Sequence, residues 1–206
     1  MVKIYGMGWV GKAMLDLFPK AHVQDPELGY IYEDKCDVGI ICVPTPLKDG
    51  RLDTSIVEEV VKSAEEDLLI LRSTVNPGDC DRWRKNIVFM PEYLGESVAH
   101  PLLDETKRNF LIMGGTPSNR RKAIDLFMTV FNANTNIRQM TNYEAEVVKL
   151  SENRAIMFKV LQAHELYLAC EKNGVDYYTI REAVYGDDPR FDLWFTAIYD
   201  QLGCNS

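Results

Sequence analysis

The chain has 206 residues, enough for one large domain or one domain with an appendage. Its residues are 46% hydrophobic and 26% charged, the balance of a globular protein that can bury a core rather than of a disordered one. The net charge of −8 argues against a nucleic-acid or anionic-membrane surface, which needs clustered Lys and Arg, but it leaves room for an anionic cofactor held by backbone N–H groups at a helix start.

The amino terminus, Val2-Lys3-Ile4-Tyr5, reads as a strand rather than a leader, and no apolar run approaches the length of a membrane span. The expectation is a cytoplasmic protein with no membrane partner. Trp9–Phe18 reads as a helix, and Ala21–Gln24 as a short second strand. Asp37–Val43 is a continuous apolar run, as in a strand covered on both faces. Thr54–Glu66 follows as a helix with Ile56, Val57, Val60, Val61 and Ala64 on one stripe and Asp53 or Thr54 as its N-cap. Leu68–Leu71, Ile87–Phe89 and Phe110–Met113 read as strands, Pro117–Phe131 as a helix, and Ile137–Met140 as a last short strand. The alternation predicts an α/β fold, a Rossmann-like doubly wound parallel sheet, over residues 1–140.

From Tyr143 to about Lys172 there is no Gly or Pro, and Val147, Leu150, Ala155, Phe158, Leu161 and Ala163 recur at helical spacing. One long connecting helix is expected, closed by Asn173-Gly174, with a shorter helix over Asp176–Tyr185. Residues 141–206 are therefore set apart as a central helix and a small helical region. The five cysteines (Cys36, Cys42, Cys80, Cys170, Cys204) are scattered and form no CxxC pair, so reduced thiols are expected rather than a disulfide framework or zinc site. The three histidines show no metal-ligand spacing, and no metal is expected.

Four segments carry chemistry. Gly6-Met7-Gly8-Trp9-Val10-Gly11 lies between a strand and a helix. There the glycines permit a tight turn, close approach of backbone to a pyrophosphate, and packing of helix on strand. Asp25, at the end of the second strand, is placed to hold adenosine ribose hydroxyls, favouring NAD over NADP. A plain glycine turn is the bland alternative. Val43-Pro44-Thr45-Pro46 and Ser73-Thr74 end the third and fourth strands, where ligands of open α/β sheets bind, although either could be a structural turn.

Pro91-Glu92-Tyr93-Leu94-Gly95-Glu96 follows the fifth strand and offers carboxylates for general-base chemistry, or simply a solvated loop. On the long helix Lys149 and Asn153, four residues apart, share a face, with Glu146 nearby. They can hold an oxygen that is losing its proton, or merely decorate a solvated surface.

Together these segments resemble the UDP-glucose/GDP-mannose dehydrogenase family in order and spacing. Gly6–Gly11 resembles its GxGYVG, with Trp9 in place of the common Tyr. VPTP resembles its TP loop, STVNPG its STVPPG, and PEYLGES its PEFLxEG or PEFLRES. EAEVVKLSEN resembles AEMxKYxxN, and ACEKNGVD followed by Gly186-Asp187-Asp188-Pro189-Arg190 resembles CExxGxD and a later DxR.

The resemblance implies an NAD-dependent oxidation of a nucleotide sugar at C6, most simply UDP-glucose to UDP-glucuronate for polysaccharide biosynthesis. Two NAD⁺ and one water are used, through a cysteine thiohemiacetal and thioester. It implies Lys149 at the oxyanion, Asn153 on the reacting sugar, Glu92 in proton transfer and Thr74 holding a water. Glu96 and Tyr93, Leu94 and Gly95 would line the cofactor and sugar pocket, Arg190 would reach the sugar or nucleotide, and the long helix would form a homodimer.

The family's glycine-rich Cys-x-Pro-Lys-Asp segment is not present. Gly203-Cys204-Asn205-Ser206 resembles its start, so the nucleophile is expected either one or two residues further on or at Cys204 itself. The nucleotide-binding second domain is likewise missing. A β-hydroxyacid dehydrogenase, or a non-catalytic NAD-binding dimerisation module, remains an alternative reading of the same residues.

Overall fold

The computed structural model describes residues 1–83, 86–95, 102 and 104–186. Its elements, in chain order, are β1 (Val2–Tyr5), α1 (Trp9–Leu17), β2 (His22–Gln24), β3 (Val38–Ile41), β4 (Leu47–Lys48), β5 (Arg51–Leu52), α2 (Ser55–Ser63), β6 (Leu68–Leu71), α3 (Asp79–Trp83), β7 (Ile87–Phe89), β8 (Phe110–Met113), α4 (Pro117–Phe127), β9 (Asn136–Gln139), α5 (Asn142–Asn173) and α6 (Tyr177–Tyr185). Single 3-10 turns lie at Pro26–Leu28 and Glu105–Lys107. The chain divides into two units. The first holds Met1–Leu94 and Asp104–Lys149, and the second is built chiefly on the chain from Leu150 onward.

In the first unit β2, β1, β3, β6 and β7 pair in that order, all parallel, and β8 pairs in parallel with β9. The strands alternate between two cores, which is why they read as unbroken apolar runs. Ile4, Ile40, Leu68, Ile70 and Val88 face one side with Met14 and Leu17 of α1 and Ala123 and Phe127 of α4. Tyr5, Ile41, Leu69, Leu71, Ile87 and Phe89 face the other, with Val57 and Val61 of α2, Cys80 of α3 and Ala145 of α5. This is the doubly wound arrangement expected from the sequence. β1 lies between β2 and β3, so the strand order reverses at its carboxyl end and opens a crevice there.

The Glu66 carboxylate is buried beside the second core. Burial pushes the Glu66 carboxyl up, but hydrogen bonds from Lys3 and Tyr5 outweigh it and hold it below the ordinary range. At the far edge of the sheet, Asn142 at the start of α5 uses its side-chain amide as a strand would. Its Oδ1 accepts from Phe89 N at 3.0 Å, and its Nδ2 donates to Ile87 O at 3.2 Å. Gly114 makes room for it, because a methyl group there would lie 2.8 Å from Asn142 Cα.

In the second unit α5 ends at Asn173, with Gly174 at φ +64° and Val175 N bonded back to Cys170 O at 3.1 Å, as the Asn-Gly pair predicts. Asp176 caps α6 by accepting from Thr179 N at 2.7 Å. Tyr177 packs edge-on against Tyr167, with ring centroids 5.6 Å apart.

Several details differ from the sequence reading. The β4–β5 hairpin and α3 fall where the sequence reading assigned no element, because neither has an apolar period long enough to register. α2 and α4 stop at Ser63 and Phe127, short of the expected Glu66 and Phe131. The long helix is present, but Val147, Ala155, Phe158 and Leu161 of its expected apolar stripe are exposed, whereas Ala145, Glu146 and Lys149 are buried. Among the described residues no helix is long and apolar enough to cross a membrane.

Candidate functional site

The glycine turn after β1 has the geometry its sequence promises. Gly6 has φ +88°, and a methyl group on it would lie 2.9 Å from the Cys42 carbonyl oxygen at the end of β3. A methyl on Gly11 would lie 1.9 Å from the Gly6 carbonyl oxygen, so α1 can approach the turn this closely only with glycine at that position. Gly8 differs: no atom lies within 4 Å of where its Cβ would be, so its backbone faces open space. It also begins α1 with no side-chain cap, which leaves the first N–H groups of the helix for a ligand. Open backbone, a free helix start and a packed third glycine fit a pyrophosphate.

The remaining cofactor candidates surround this turn. Asp25 Oδ2 accepts from Met7 N at 2.7 Å, and Oδ1 from Leu28 N at 3.3 Å, so this carboxylate braces the turn from β2. Trp9 is exposed and Val10 half-buried. Ser73 Oγ donates to Val43 O at 2.6 Å, tying the loop after β6 to the one after β3. Within that loop Thr45 is buried, Pro44 and Pro46 are exposed, and Pro46 O accepts from Asp53 N of the hairpin at 2.8 Å. Thr74 is half-buried beyond β6.

At the neighbouring strand ends, Lys149 of α5 donates through Nζ to Glu92 O at 2.6 Å and lies 4.9 Å from the centre of the Tyr93 ring. The Glu92 Oε1 atom is closed off from solvent with no hydrogen-bond partner. Burial raises the Glu92 carboxyl above the ordinary range, and the charges of Lys149 and Arg72 oppose that rise. Leu94 is half-buried, and Gly95 N donates to Leu102 O at 2.8 Å. The structure thus brings Glu92, Tyr93 and Lys149 together in the first unit. Asn153 belongs to the second unit, four residues beyond Lys149 along α5. Glu96, Arg190 and Cys204 lie outside the described residues.

Glu146, grouped with Lys149 in the sequence, has a different place. Its carboxylate accepts from Gly78 N and from Cys80 N (3.0 Å), fastening α5 to the start of α3.

Three residues escaped the sequence reading. Arg72 directly follows β6, and its Nη2 donates to Glu105 Oε1 at 2.7 Å. Arg108 Nη2 donates to the same oxygen, and Arg108 Nη1 reaches Pro91 O at 3.4 Å. All three side chains are almost wholly buried. Burial lowers the Arg108 guanidinium to about 10. Burial likewise pushes the nearby Cys42 thiol up to about 12, which disfavours its thiolate form. The available signal was a charged residue closing the apolar run Leu68-Leu69-Ile70-Leu71.

The fold and the glycine turn define a dinucleotide-binding α/β domain. Residues 30–108 match the model of the UDP-glucose/GDP-mannose dehydrogenase family, NAD binding domain, which gives NAD as the cofactor. A UDP-N-acetyl-D-mannosamine dehydrogenase of Pyrococcus horikoshii is 29% identical over 160 residues, covering 69% of this chain and 38% of that protein. The solved UDP-glucose dehydrogenase of Pyrobaculum islandicum superposes with a TM-score of 0.75 at 22% identity, over 95% of this chain and 58% of that one. A solved UDP-D-ManNAc dehydrogenase from Pyrococcus horikoshii gives 0.76 at 21% identity, over 94% and 59%. The chain therefore spans well under two thirds of the length of these relatives.

Proposed function

We propose that the protein carrying this chain is an NAD-dependent nucleotide-sugar 6-dehydrogenase, oxidising the C6 alcohol of a UDP-sugar to a carboxylate. The PEYLGES segment favours UDP-glucose, while the Pyrococcus horikoshii relative is a UDP-N-acetyl-D-mannosamine dehydrogenase, so these two sugars are tested first. Bound NAD⁺ supplies the hydride acceptor.

The observation that carries the reading is the seating of Lys149 on the Glu92 backbone, beside a carboxyl oxygen that has no partner. The ammonium stabilises an alcohol oxygen as it loses its proton. The Glu92 carboxylate, whose proton affinity burial raises above the ordinary range, accepts that proton. Thr74, at the end of the adjacent strand, holds a water for the later hydrolysis, and Asn153 a hydroxyl of the sugar. A cysteine thiol captures the aldehyde, either one shortly after Ser206 in the full protein or Cys204. Glu96 and Arg190 complete the contacts to cofactor and sugar.

The exposed apolar residues Met157, Phe158, Leu161 and Leu168 of α5 support a homodimer formed through this helix. The enzyme is assigned to the cytoplasm.

In the test, Lys149→Met retains NADH binding, read by cofactor fluorescence, and loses UDP-sugar-dependent NAD⁺ reduction by about two to three orders of magnitude. Unchanged turnover in that variant, or no turnover of either UDP-sugar by the parent protein, overturns the reading.

A further inference from the structure

The charges beneath Glu92 do not balance among themselves. Arg72 and Arg108 both bond one oxygen of Glu105, so two cations share a single carboxylate in a buried place. Arg72 Nε and Nη1 have no partner, nor has Arg108 Nε or Glu105 Oε2. Leaving guanidinium N–H groups unanswered inside a protein is unfavourable, and a surplus buried charge more so.

The topology shows where an answer lies. Met90 N bonds Leu71 O at 2.9 Å across the parallel β6–β7 pair, so Arg72 and Glu92 leave neighbouring strand ends one and two residues further on. The backbone on either side is held as well, Pro91 O by Arg108 and Glu92 O by Lys149. The charges of Arg72, Glu92 and Glu105 all act on the Cys42 thiol, just beyond the end of β3. Glu92 Oε1 and Glu105 Oε2 are both buried acceptors there without a partner, and of the two only Glu92 belongs to a carboxyl that neither arginine already bonds.

We propose that Arg72 is a positioning residue for Glu92: anchored by Glu105, it presents its unpartnered Nε and Nη1 to the Glu92 carboxylate across one ordered water, and keeps that carboxylate ionised and fixed in orientation. The assignment rests on the reading of Glu92 as the proton acceptor of the reaction. The groups that face Glu92 are Lys149 from α5, Arg72 from the end of β6, Glu105 and Arg108 from the segment before β8, the Cys42 thiol and the neighbouring Tyr93 phenol. Of these Arg72 and Lys149 favour the charged form, and Glu105 disfavours it. A merely structural Arg72 would steady the fold and leave the titration of Glu92 where it is.

The experiment follows the Glu92 side-chain carboxyl by carbon NMR across pH, its signal identified by its loss in Glu92→Gln. In Arg72→Gln the proton affinity of Glu92 rises about tenfold, and Arg72→Lys restores most of the difference. A folded Arg72→Gln protein in which Glu92 titrates as before overturns the proposal. If Arg72→Gln does not fold, Glu92→Gln decides. Loss of the partner carboxylate shifts the Arg72 Nε–H resonance and speeds its hydrogen exchange, and an unmoved resonance overturns the proposal. NADH binding is measured on the same samples. Its failure in the parent protein overturns the dehydrogenase reading and leaves the Arg72–Glu92 coupling standing on its own titration.

Discussion

Glu92 shows what burial does to a carboxyl that the proposed reaction needs ionised. Its ordinary value applies in the unfolded chain, while burial raises it in the folded one. Between the two values the folded protein holds a proton that the unfolded chain has released. Stability therefore falls as pH climbs through that window, and the loss is complete above the raised value. Glu92→Gln removes the penalty. Its melting temperature should exceed the parent's at neutral pH, with the difference shrinking to nothing as pH drops below the ordinary carboxylate range. Thermal melts across pH check this, and a gap independent of pH would contradict it. The neighbouring arginines could not be read the same way from sequence. A charged residue after an apolar strand signals burial, but which carboxylate it meets depends on a segment more than 30 residues away.

At the scale of elements, strands whose faces are both covered were legible, because each is an uninterrupted apolar run bounded by turns. β1, β6, β7 and β8 fall on the predicted residues. Helix ends were less legible, since the last turn of α2 or α4 depends on packing that no local pattern records. α5 was legible as a helix and misread as a surface. Its period of apolar residues pointed to a packed stripe, whereas the face buried in the first unit carries Glu146 and Lys149. Polar residues can be buried there because their partners are waiting: two backbone N–H groups for the one and a backbone carbonyl for the other. Glu146→Ala should then leave the Gly78 and Cys80 N–H groups stranded, at about 1–3 kcal/mol for each. Chemical denaturation measures the loss, and Glu146→Gln, which keeps an acceptor, should recover part of it.

At the scale of the molecule, the doubly wound sheet places the glycine turn, the VPTP loop, Thr74 and Glu92 at the carboxyl ends of four parallel strands, so the candidate site was foreseeable from topology alone. Association of two copies through α5 is tested in solution. Leu161→Glu, placed among Met157, Phe158 and Leu168 on the exposed surface of α5, should convert a dimeric species to half its mass in light scattering. A parent protein already monomeric, or a variant still dimeric, contradicts the homodimer.

β7 ends the five-stranded ladder, and an unpaired strand edge is a template on which other chains can add. Asn142 occupies that edge with a single side-chain amide, answering one backbone donor and one acceptor of β7. Conversion of that amide to a carboxylate, the chemistry of an ageing asparagine, would set an oxygen against the Ile87 carbonyl and reopen the edge. One nitrogen atom, at the first residue of the longest helix, thus helps to keep a strand edge closed.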